Sequence, residues 1–457
     1  MNIDEKRVKE VLEESKSPSK ERIKEILSKA LELKGLSLEE AACLLNISSD
    51  AQELYDTAFK IKNEIYGNRL VIFAPVYVSN HCSNDCLYCG FRKSNSEMKR
   101  RILSSDEIRK EVEILEKQGH KRLLMLMGED FDKYSFDDFL EAINVAYSVK
   151  SGGDIRRINV EIPPLSDEEF LKLKGAKIGT YTMFQETYHR ETYEKMHSGK
   201  KGDYEFRLGT MDRALSAGLG DVGIGVLFGL YDYKFEVLSL LMHAEHLDEK
   251  FGIGPHTVSV PRIEEASNAP AAIDVPFPVS DEEFKKLVAV LRCSIPYTGI
   301  ILSTRESADI RRELFNIGVS QISAGSKTNP GGYSGDEGDH LDEEQFALSD
   351  TRGTADVIKD MMKQGFVSSF CTSCYRRGRV GKDFMDLAKP GLIQNFCQPN
   401  ALLTLKEYLM DYGDSEGKKV GEELIRKEAE KIKDSKVKEE FFKKLKRVEE
   451  GERDLYF

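Results

Sequence analysis

Eight short apolar runs, separated by segments long enough to form amphipathic helices, constrain the fold of this chain more than any other feature. Such alternation is typical of repeated strand–helix units. Periodicity alone does not separate a closed barrel from an open parallel sheet, but eight units over about 250 residues are what a (β/α)8 barrel requires. We therefore predict an α/β protein built on a TIM-type barrel. The apolar runs span residues 70–78, 122–127, 157–162, 178–184, 221–227, 256–260, 299–303 and 319–323.

Helical patterns flank the barrel region on both sides. Residues 1–66 are rich in Lys and Glu, and apolar residues recur there at intervals of three and four, which predicts a helical extension. The segment 329–457 begins with a loop rich in Gly, Asp and Glu and ends in charged amphipathic helices. We therefore divide the chain into an N-terminal helical extension (1–66), a barrel (67–328) and a C-terminal helical domain (329–457), whose three cysteines suggest an iron–sulfur domain.

Three cysteines follow the first apolar run, in the segment Cys82-Ser-Asn-Asp-Cys86-Leu-Tyr-Cys89. Thiolates are soft ligands that favour iron–sulfur clusters or zinc. Three thiolates on one short loop can hold three irons of a [4Fe-4S] cube, and the fourth iron then stays open to a small molecule. The segment thus predicts a cluster with one open position at the end of the first strand.

Zinc and a disulfide are the alternatives at this loop. A structural zinc site normally has four ligands, and the nearest candidate for the fourth is His81. A disulfide is the weaker alternative, because six of the eight cysteines fall into two clustered sets, which favours metal ligation in a reducing compartment. In the second set, Cys371, Cys374 and Cys397, three thiolates again suggest a cube with one open iron. A zinc knuckle that lacks one ligand is the alternative there.

Polar residues occur where several predicted strands end, and reactive groups of such barrels lie at these carboxyl ends. Gly128 and Glu129 follow the second run, where glycine permits a close backbone approach. Glu161 and Glu186 end the third and fourth runs; a carboxylate buried there is costly unless it meets a donor, such as ribose hydroxyls or an amine. Arg207 can bind a cofactor carboxylate through a bidentate fork. The alternative for each is a surface ion pair.

Arg305 and Ser323 lie at the ends of the seventh and eighth runs. An amino-acid substrate in a closed cavity needs its carboxylate paired, because an unpaired buried charge costs several kcal/mol. These two residues could pair it, although Arg305 could instead form an ion pair with Glu306. His256 begins its run and is therefore expected at the opposite end of the barrel from the first cysteines. A lone histidine there is most often structural.

The composition limits the partners. The formal net charge is −12, with Lys and Arg interspersed among the acidic residues. No basic face is expected to neutralise phosphates, so we expect no nucleic-acid partner. No signal-peptide core, Arg-rich presequence or apolar run of about 20 residues occurs. We therefore expect a cytoplasmic protein without a membrane partner.

These motifs together closely resemble one family, the HydG tyrosine lyases, which are radical SAM maturases of [FeFe]-hydrogenase. The first cysteine motif alone is typical of the radical SAM superfamily, in which S-adenosylmethionine (SAM) chelates the open iron. The middle motifs also resemble the thiamine-pathway tyrosine lyase, but that relative generally lacks the second cysteine set. The segments that carry the resemblance are CSNDCLYCGF, QETYHRETYEKMHSGKKGDYEFR, GPHTVSVPR, LSTRE and CTSCYRRGR.

The resemblance implies that Cys82, Cys86 and Cys89 hold the [4Fe-4S] cluster that reduces SAM. It further implies that L-tyrosine, held by Arg305 and Ser323, is cleaved at its Cα–Cβ bond to p-cresol and dehydroglycine. A one-electron donor such as flavodoxin or ferredoxin is implied, and other hydrogenase maturases are implied partners. The residues implied to surround SAM are Tyr88, Gly128, Glu129, Glu161, Glu186 and Arg207.

A second [4Fe-4S] cluster with an additional iron is also implied, and it would convert dehydroglycine to CO and cyanide. Cys371, Cys374 and Cys397 would hold that cluster, and His256 would be a ligand of the additional iron. Because the clusters would then lie at opposite barrel ends, we predict a continuous internal channel. Two alternatives stay open: a tyrosine lyase that supplies dehydroglycine for thiamine synthesis, and a zinc-stabilised scaffold protein without turnover.

Overall fold

Four helices precede the barrel in the computed structural model, which describes residues 1–48, 51–335 and 341–457. Each buries an apolar stripe, as the spacing of apolar residues predicts, and the set packs on the outer helices of the barrel. They are α1 (Glu5–Glu14), α2 (Lys20–Ala30), α3 (Leu38–Leu45) and α4 (Gln52–Tyr66). Within the described residues, no helix is both long and apolar enough to cross a bilayer.

Eight parallel strands form the barrel, which closes because β1 pairs with both β2 and β8. Every strand begins and ends within two residues of an apolar run that predicts it, so the predicted (β/α)8 fold is confirmed. The strands are β1 (Arg69–Ser79), β2 (Arg122–Met127), β3 (Arg157–Glu161), β4 (Thr180–Glu186), β5 (Asp221–Val226), β6 (Thr257–Ser259), β7 (Gly299–Leu302) and β8 (Gln321–Ser323).

The long strand β1 shows how the barrel separates its core from its interior. Successive side chains point to opposite faces of a strand. The even-numbered side chains from Leu70 to Val78 belong to the apolar core between strands and helices. The odd-numbered ones line interior cavities: Arg69 and Val71 line one cavity, whereas Phe73, Pro75 and Tyr77 line another.

Helices cover the outside of the barrel between successive strands. Several begin at a Ser-x-x-Glu capping box, in which serine and glutamate satisfy each other's free backbone N–H groups; Ser104 with Glu107 and Ser166 with Glu169 are examples. The helices are α5 (Ser105–Lys117), α6 (Phe136–Ser148), α7 (Asp167–Gly175), α8 (Arg190–Met196), α9 (Tyr204–Leu208), α10 (Thr210–Ser216), α11 (Tyr233–Phe251), α12 (Pro270–Ile273), α13 (Asp281–Ser294), α14 (Ala308–Phe315) and α15 (Thr354–Lys363).

The C-terminal segment covers the amino end of the barrel. Its one short strand, β9 (Val367–Ser369), pairs in parallel with residues 69–71 of β1. The sequence does not predict this strand, because three residues, two of them serine, carry no apolar pattern. Cys371 follows β9 directly, whereas the first cysteine set follows the other end of β1. The remaining helices are α16 (Ser373–Arg376), α17 (Gly381–Ala388), α18 (Gln394–Tyr412), α19 (Ser415–Ala429) and α20 (Ser435–Glu449).

Candidate active site

A cavity of about 180 Å³ lies at the carboxyl ends of the strands and brings together most of the predicted site residues. We call it the upper cavity. His81, the nearest candidate for a fourth zinc ligand, is not among the residues that line it. The predicted residues that line it are Cys82, Cys86, Tyr88, Cys89, Gly128, Glu129, Glu161, Glu186, Arg207, Arg305 and Ser323.

The first cysteine loop is fixed to the end of β2. The Gly128 N–H donates to the Ser79 carbonyl (2.9 Å), and the Ser83 N–H donates to the Glu129 carbonyl (3.2 Å). A Cβ atom at residue 128 would overlap the carbonyl oxygen of His81, so only glycine permits this approach. The close backbone approach predicted at Gly128 is therefore made by the cysteine loop itself.

Four charged side chains form a network on one wall of the upper cavity. Arg207 donates to Glu129 (3.0 Å), and Lys201 donates to Glu186 (2.7 Å). Lys201 also lies 3.6 Å from Glu129, and Arg207 lies 3.6 Å from Glu186. Burial alone would raise the pKa of both carboxyl groups, but the two cations hold each pKa below its usual value of 4.5. Both glutamates are therefore ionised at neutral pH.

Glu186 adopts a backbone conformation that is unusual for its residue type. Its φ angle is 71°, and the pairing of β4 with β5 shifts its register between Phe184 and Glu186. A left-handed conformation outside glycine is sparsely populated and is common at binding sites. The shift brings the Glu186 carboxylate into the charged network, while the Phe184 carbonyl accepts a hydrogen bond from Arg207 (2.7 Å).

Arg305 and Ser323 lie on another wall of the cavity. The Arg305 guanidinium stacks 3.3 Å from the ring centroid of Phe346 and donates one long hydrogen bond to the Arg262 carbonyl (3.4 Å). Glu306, the alternative partner of Arg305, instead forms an ion pair with Arg262. The Ser323 hydroxyl accepts the N–H of Thr304 (3.2 Å).

A second cavity, of about 50 Å³, lies near the amino ends of the strands. We call it the lower cavity. Cys371, Cys374, Cys397 and His256 all line it, so the structure places the predicted second set together. His256 immediately precedes β6, and its Nδ1 lies 3.6 Å from the Asp221 carboxylate.

Gln321 is the residue that lines both cavities. Its side chain packs across Gly299, where an added Cβ would overlap the Gln321 amide nitrogen. In the described part of the chain, two cavities share this one wall residue; a continuous channel between them is not observed and stays a prediction.

Comparisons with known proteins agree with this architecture. The model of the radical SAM superfamily matches residues 76–241, and that of the biotin and thiamin synthesis associated domain matches residues 259–367. The 2-iminoacetate synthase of Salmonella typhimurium is 31% identical over 348 residues, which cover 74% of this chain and 88% of that protein.

Two crystal structures of HydG, both described as maturases of [FeFe]-hydrogenase, match nearly the whole chain. One is 51% identical, with a TM-score of 0.95, and the match covers 100% of this chain and 99% of that one. This chain belongs to the HydG family of radical SAM enzymes. The second HydG, from Carboxydothermus hydrogenoformans, is 40% identical, with a TM-score of 0.83, and the match covers 96% of this chain and 97% of that one.

Radical SAM enzymes use a [4Fe-4S] cluster and SAM, and the upper cavity of this HydG-family chain fits them. Its three cysteines are free thiols, and burial raises the pKa of Cys82 and Cys86 to about 12 and that of Cys89 to about 11. Positive charge on a cluster is therefore needed to deprotonate them. Among the described residues, no three His, Cys, Asp or Glu side chains converge enough to share a single metal ion.

Lys201 is the site residue that the sequence analysis missed in this HydG-family chain. It belongs to the segment Gly199-Lys-Lys-Gly202, where one lysine cannot be distinguished from the next by pattern. In the structure, the Lys201 side chain is 9% exposed, whereas that of Lys200 is 76% exposed. Lys201 thus differs from Lys200 by its burial between two carboxylates, and this burial cannot be inferred from the sequence.

We predict that Lys201→Met destabilises the cofactor-free protein. The substitution leaves the carboxylates of Glu129 and Glu186 with Arg207 as their remaining cation in the network. Removing one partner from a buried charge network typically costs about 3 kcal/mol. The matched control Lys200→Met should change the free energy of unfolding by less than about 0.5 kcal/mol. Urea unfolding measures both, and equal effects would contradict a stabilising role for the network.

Glu161 gives a prediction for pH dependence. Burial, reinforced by the negative charge of Glu186, raises the pKa of its carboxyl group from 4.5 to about 7. The folded protein therefore binds more protons than the unfolded chain between these two pH values, and its stability falls as pH rises through them. The loss is at most about 3 kcal/mol.

We expect Glu161→Gln to remove this part of the pH dependence. The variant should gain stability relative to the wild type at pH about 8 but not at pH about 4, because only the ionised carboxylate is penalised by burial. Urea unfolding at both pH values measures this difference. Glu168→Gln, an exposed change on α7, is the control. The prediction is contradicted if the wild type becomes more stable as the pH rises between these two values and Glu161→Gln removes that gain.

Proposed function

We propose that this enzyme cleaves the Cα–Cβ bond of L-tyrosine in the upper cavity, giving p-cresol and dehydroglycine, and converts dehydroglycine to CO and cyanide in the lower cavity. These two diatomic products would serve assembly of the [FeFe]-hydrogenase active site. The observation that carries the proposal is one barrel with a cysteine-lined cavity at each end. The maturase function that describes both HydG structures supports it.

In the upper cavity, Cys82, Cys86 and Cys89 would hold the [4Fe-4S] cluster. Together with SAM, this cluster supplies a radical that abstracts hydrogen from the substrate. Glu129 and Arg207 are an ion pair at the cavity wall, so they present the charges that the ammonium and carboxylate of an amino acid need. This pair would hold the methionine end of SAM. Glu161, Glu186 and Tyr88 would surround its remaining groups.

Arg305 and Ser323 would hold the carboxylate of tyrosine. Within the described residues, the guanidinium of Arg305 makes a single, long hydrogen bond, so its other N–H groups can receive an anion. Phe346, stacked on Arg305, and Tyr77 provide aromatic surface in the same cavity. Atoms balance in the proposed cleavage, because p-cresol and dehydroglycine together contain every atom of tyrosine.

In the lower cavity, Cys371, Cys374 and Cys397 would hold a second [4Fe-4S] cluster, and His256 would be a ligand of the additional iron. A histidine bound to a metal commonly donates its other ring N–H to a carboxylate. Asp221 supplies a carboxylate at 3.6 Å from His256. The second conversion also balances, because dehydroglycine contains the atoms of CO, hydrogen cyanide and one water.

Dehydroglycine would travel between the two cavities through the interior of the barrel, past Gln321. The middle of the barrel contains polar side chains, because Thr182 and Thr257 both project toward Gly223. The Thr257 hydroxyl is buried and has no hydrogen-bond partner among the described residues. A small polar intermediate would therefore meet hydrogen-bonding groups along this path.

The alternative is a lyase that supplies dehydroglycine for thiamine synthesis. It is favoured by the similarity to 2-iminoacetate synthase, since 2-iminoacetate is another name for dehydroglycine. That similarity covers 74% of this chain, whereas the HydG match covers 100% of it. The lower cavity with its three cysteines favours the maturase function.

The products decide between these functions. The protein is reconstituted anaerobically with iron and sulfide and supplied with SAM, L-tyrosine and dithionite, and p-cresol, CO, cyanide and glyoxylate are assayed. We expect p-cresol together with CO and cyanide. The appearance of p-cresol and glyoxylate without CO would establish the thiamine-type lyase instead. A colourless protein with stoichiometric zinc and no acid-labile sulfide would overturn both and indicate a scaffold.

The assay can also identify the electron donor. Flavodoxin or ferredoxin should replace dithionite, because the cluster requires one electron at a time. Other hydrogenase maturases are the proposed protein partners, and their addition should not be needed for CO release. A requirement for such a partner would place the second conversion outside this chain.

A further inference from the structure

Two buried arginines lie in the lower cavity beside the second cysteine set. Arg69 donates to the sulfur of Cys397 (3.2 Å), and Arg122 donates to the carbonyl of Cys371 (2.8 Å). The Nε atoms of both guanidinium groups are buried and lack a hydrogen-bond partner among the described residues. Buried donors of this kind are rarely left unpaired in native proteins. Both arginines therefore retain donors for a group that is not part of the chain.

The charges around the lower cavity point to an anion. Neither Arg69 nor Arg122 forms a salt bridge with a carboxylate in the described part of the chain; each stacks instead on a tyrosine ring, Arg69 on Tyr66 and Arg122 on Tyr375. Three thiolates on a dicationic cluster would carry one net negative charge, and the Asp221 carboxylate beside His256 supplies a second, so together they would balance the two arginines. An additional ferrous iron would then add two positive charges that an anion could compensate. A buried charge is costly unless it is paired.

The two arginines lie at different positions along the strands of the barrel. The β1–β2 register sets Ala74 against Leu123, so Arg122 lies level with Phe73, which lines the upper cavity. Arg69 lies four residues earlier on β1, about 13 Å away along the strand. Arg122 thus lies nearer the middle of the barrel, and Arg69 lies nearer Cys397. A molecule that arrives through the barrel meets Arg122 first.

We propose that Arg122, assisted by Arg69, binds the carboxylate of the two-carbon product and so positions it beside the second cysteine set. Guanidinium binds carboxylates through two parallel hydrogen bonds. The hydroxyls of Ser320 and Thr372 line the same cavity and are also buried without partners among the described residues, so they add donors. The inference rests on the proposed function and identifies how its intermediate is held.

The test separates binding from turnover. Glyoxylate, the hydrolysis product of dehydroglycine, is titrated into the reconstituted full-length protein in a Cys86→Ala background, so that the electron paramagnetic resonance signal comes from the second cluster. We expect glyoxylate to change this signal, and Arg122→Gln to raise the concentration required by about tenfold or more. Arg122→Lys keeps the positive charge but cannot form two parallel hydrogen bonds. It should therefore raise the required glyoxylate concentration by an intermediate factor.

Arg157→Gln is the matched control. Arg157 lies 4.6 Å from the ring of Tyr375 but donates to the carbonyls of Lys177 and Ile178 and does not line the lower cavity. Its removal should leave the glyoxylate response unchanged. The proposal is overturned if Arg122→Gln responds to glyoxylate as the Cys86→Ala background does, or if Arg157→Gln weakens the response equally.

Turnover gives the second measurement. In the otherwise unchanged enzyme, Arg122→Gln should lower CO formation by about tenfold or more while p-cresol continues to form and glyoxylate appears in solution. Undiminished CO would overturn the proposed site. If the wild type forms no CO at all, the proposed function fails, and the glyoxylate titration still decides whether the carboxylate site exists.

Discussion

A Cys86→Ala variant is expected to lose p-cresol, CO and cyanide together and to leave SAM intact. Cys86 is one of three thiols in the upper cavity, and its loss leaves two protein ligands for a cluster that needs three. The rate of every product should fall by about a thousandfold or more, because the uncatalysed cleavage of a carbon–carbon bond is negligible. The measurement is chromatography of 5'-deoxyadenosine and p-cresol after anaerobic reconstitution.

The control for this variant is Cys43→Ala. Cys43 is a half-buried cysteine on α3, outside both cavities, so its replacement should leave product formation within about twofold of the wild type. Cleavage of SAM by Cys86→Ala at the wild-type rate would show that the first cysteine set is not the cofactor site. Equal loss in both variants would indicate damage to the fold.

Replacing Cys371 and Cys374 together by alanine should separate the two reactions. Among the described residues, the upper cavity shares one wall residue, Gln321, with the lower cavity, so we expect its proposed chemistry to be independent of the second cysteine set. We expect p-cresol to form at a rate within about threefold of the wild type, whereas CO and cyanide fall to background. Glyoxylate should accumulate in their place, and the protein should hold about five fewer irons.

The same variant tests whether the proposed second cluster exists. CO formation that survives the loss of both thiols would remove the lower cavity from the pathway. A parallel loss of p-cresol and CO would show that the C-terminal segment stabilises the barrel rather than performing a separate conversion. Unfolding measurements on the cofactor-free variant distinguish that case, because the free energy of unfolding would then fall as well.

The sequence was sufficient to predict the barrel, because its strands are buried on both faces and appear as continuous apolar runs. It did not predict β9, whose Val-Ser-Ser segment forms a strand only because the open edge of β1 accepts it. The same limit applies at Gln321. A glutamine at the start of a short buried strand has no distinctive pattern, and its position between two cavities depends on how eight strands close.

The candidate site was likewise predictable only in part. Cys82, Glu129 and Arg305 were predicted because each follows a strand, and in a parallel barrel all such positions meet at one end. Which charges pair could not be predicted, since Arg207 reaches Glu129 from a helix 78 residues away in sequence. Lys201 required the same long-range information. Spacing thus predicted which residues meet at this end of the barrel, and three-dimensional packing determined which charges pair.

The number of residues in β1 determines the distance between the two cysteine sets. Val71 pairs with the last residue of β9, two positions before Cys371, and Ser79 lies three positions before Cys82. The eight residue-to-residue steps from Val71 to Ser79 span about 26 Å. An insertion of one residue would exchange the core face and the interior face of β1 unless a bulge absorbs it, and β1 already shifts its register against β2 between Tyr77 and Ser79. Changes of two residues keep both faces and alter the separation in steps of about 6.6 Å, so relatives with this barrel should show preferred spacings rather than a continuous range.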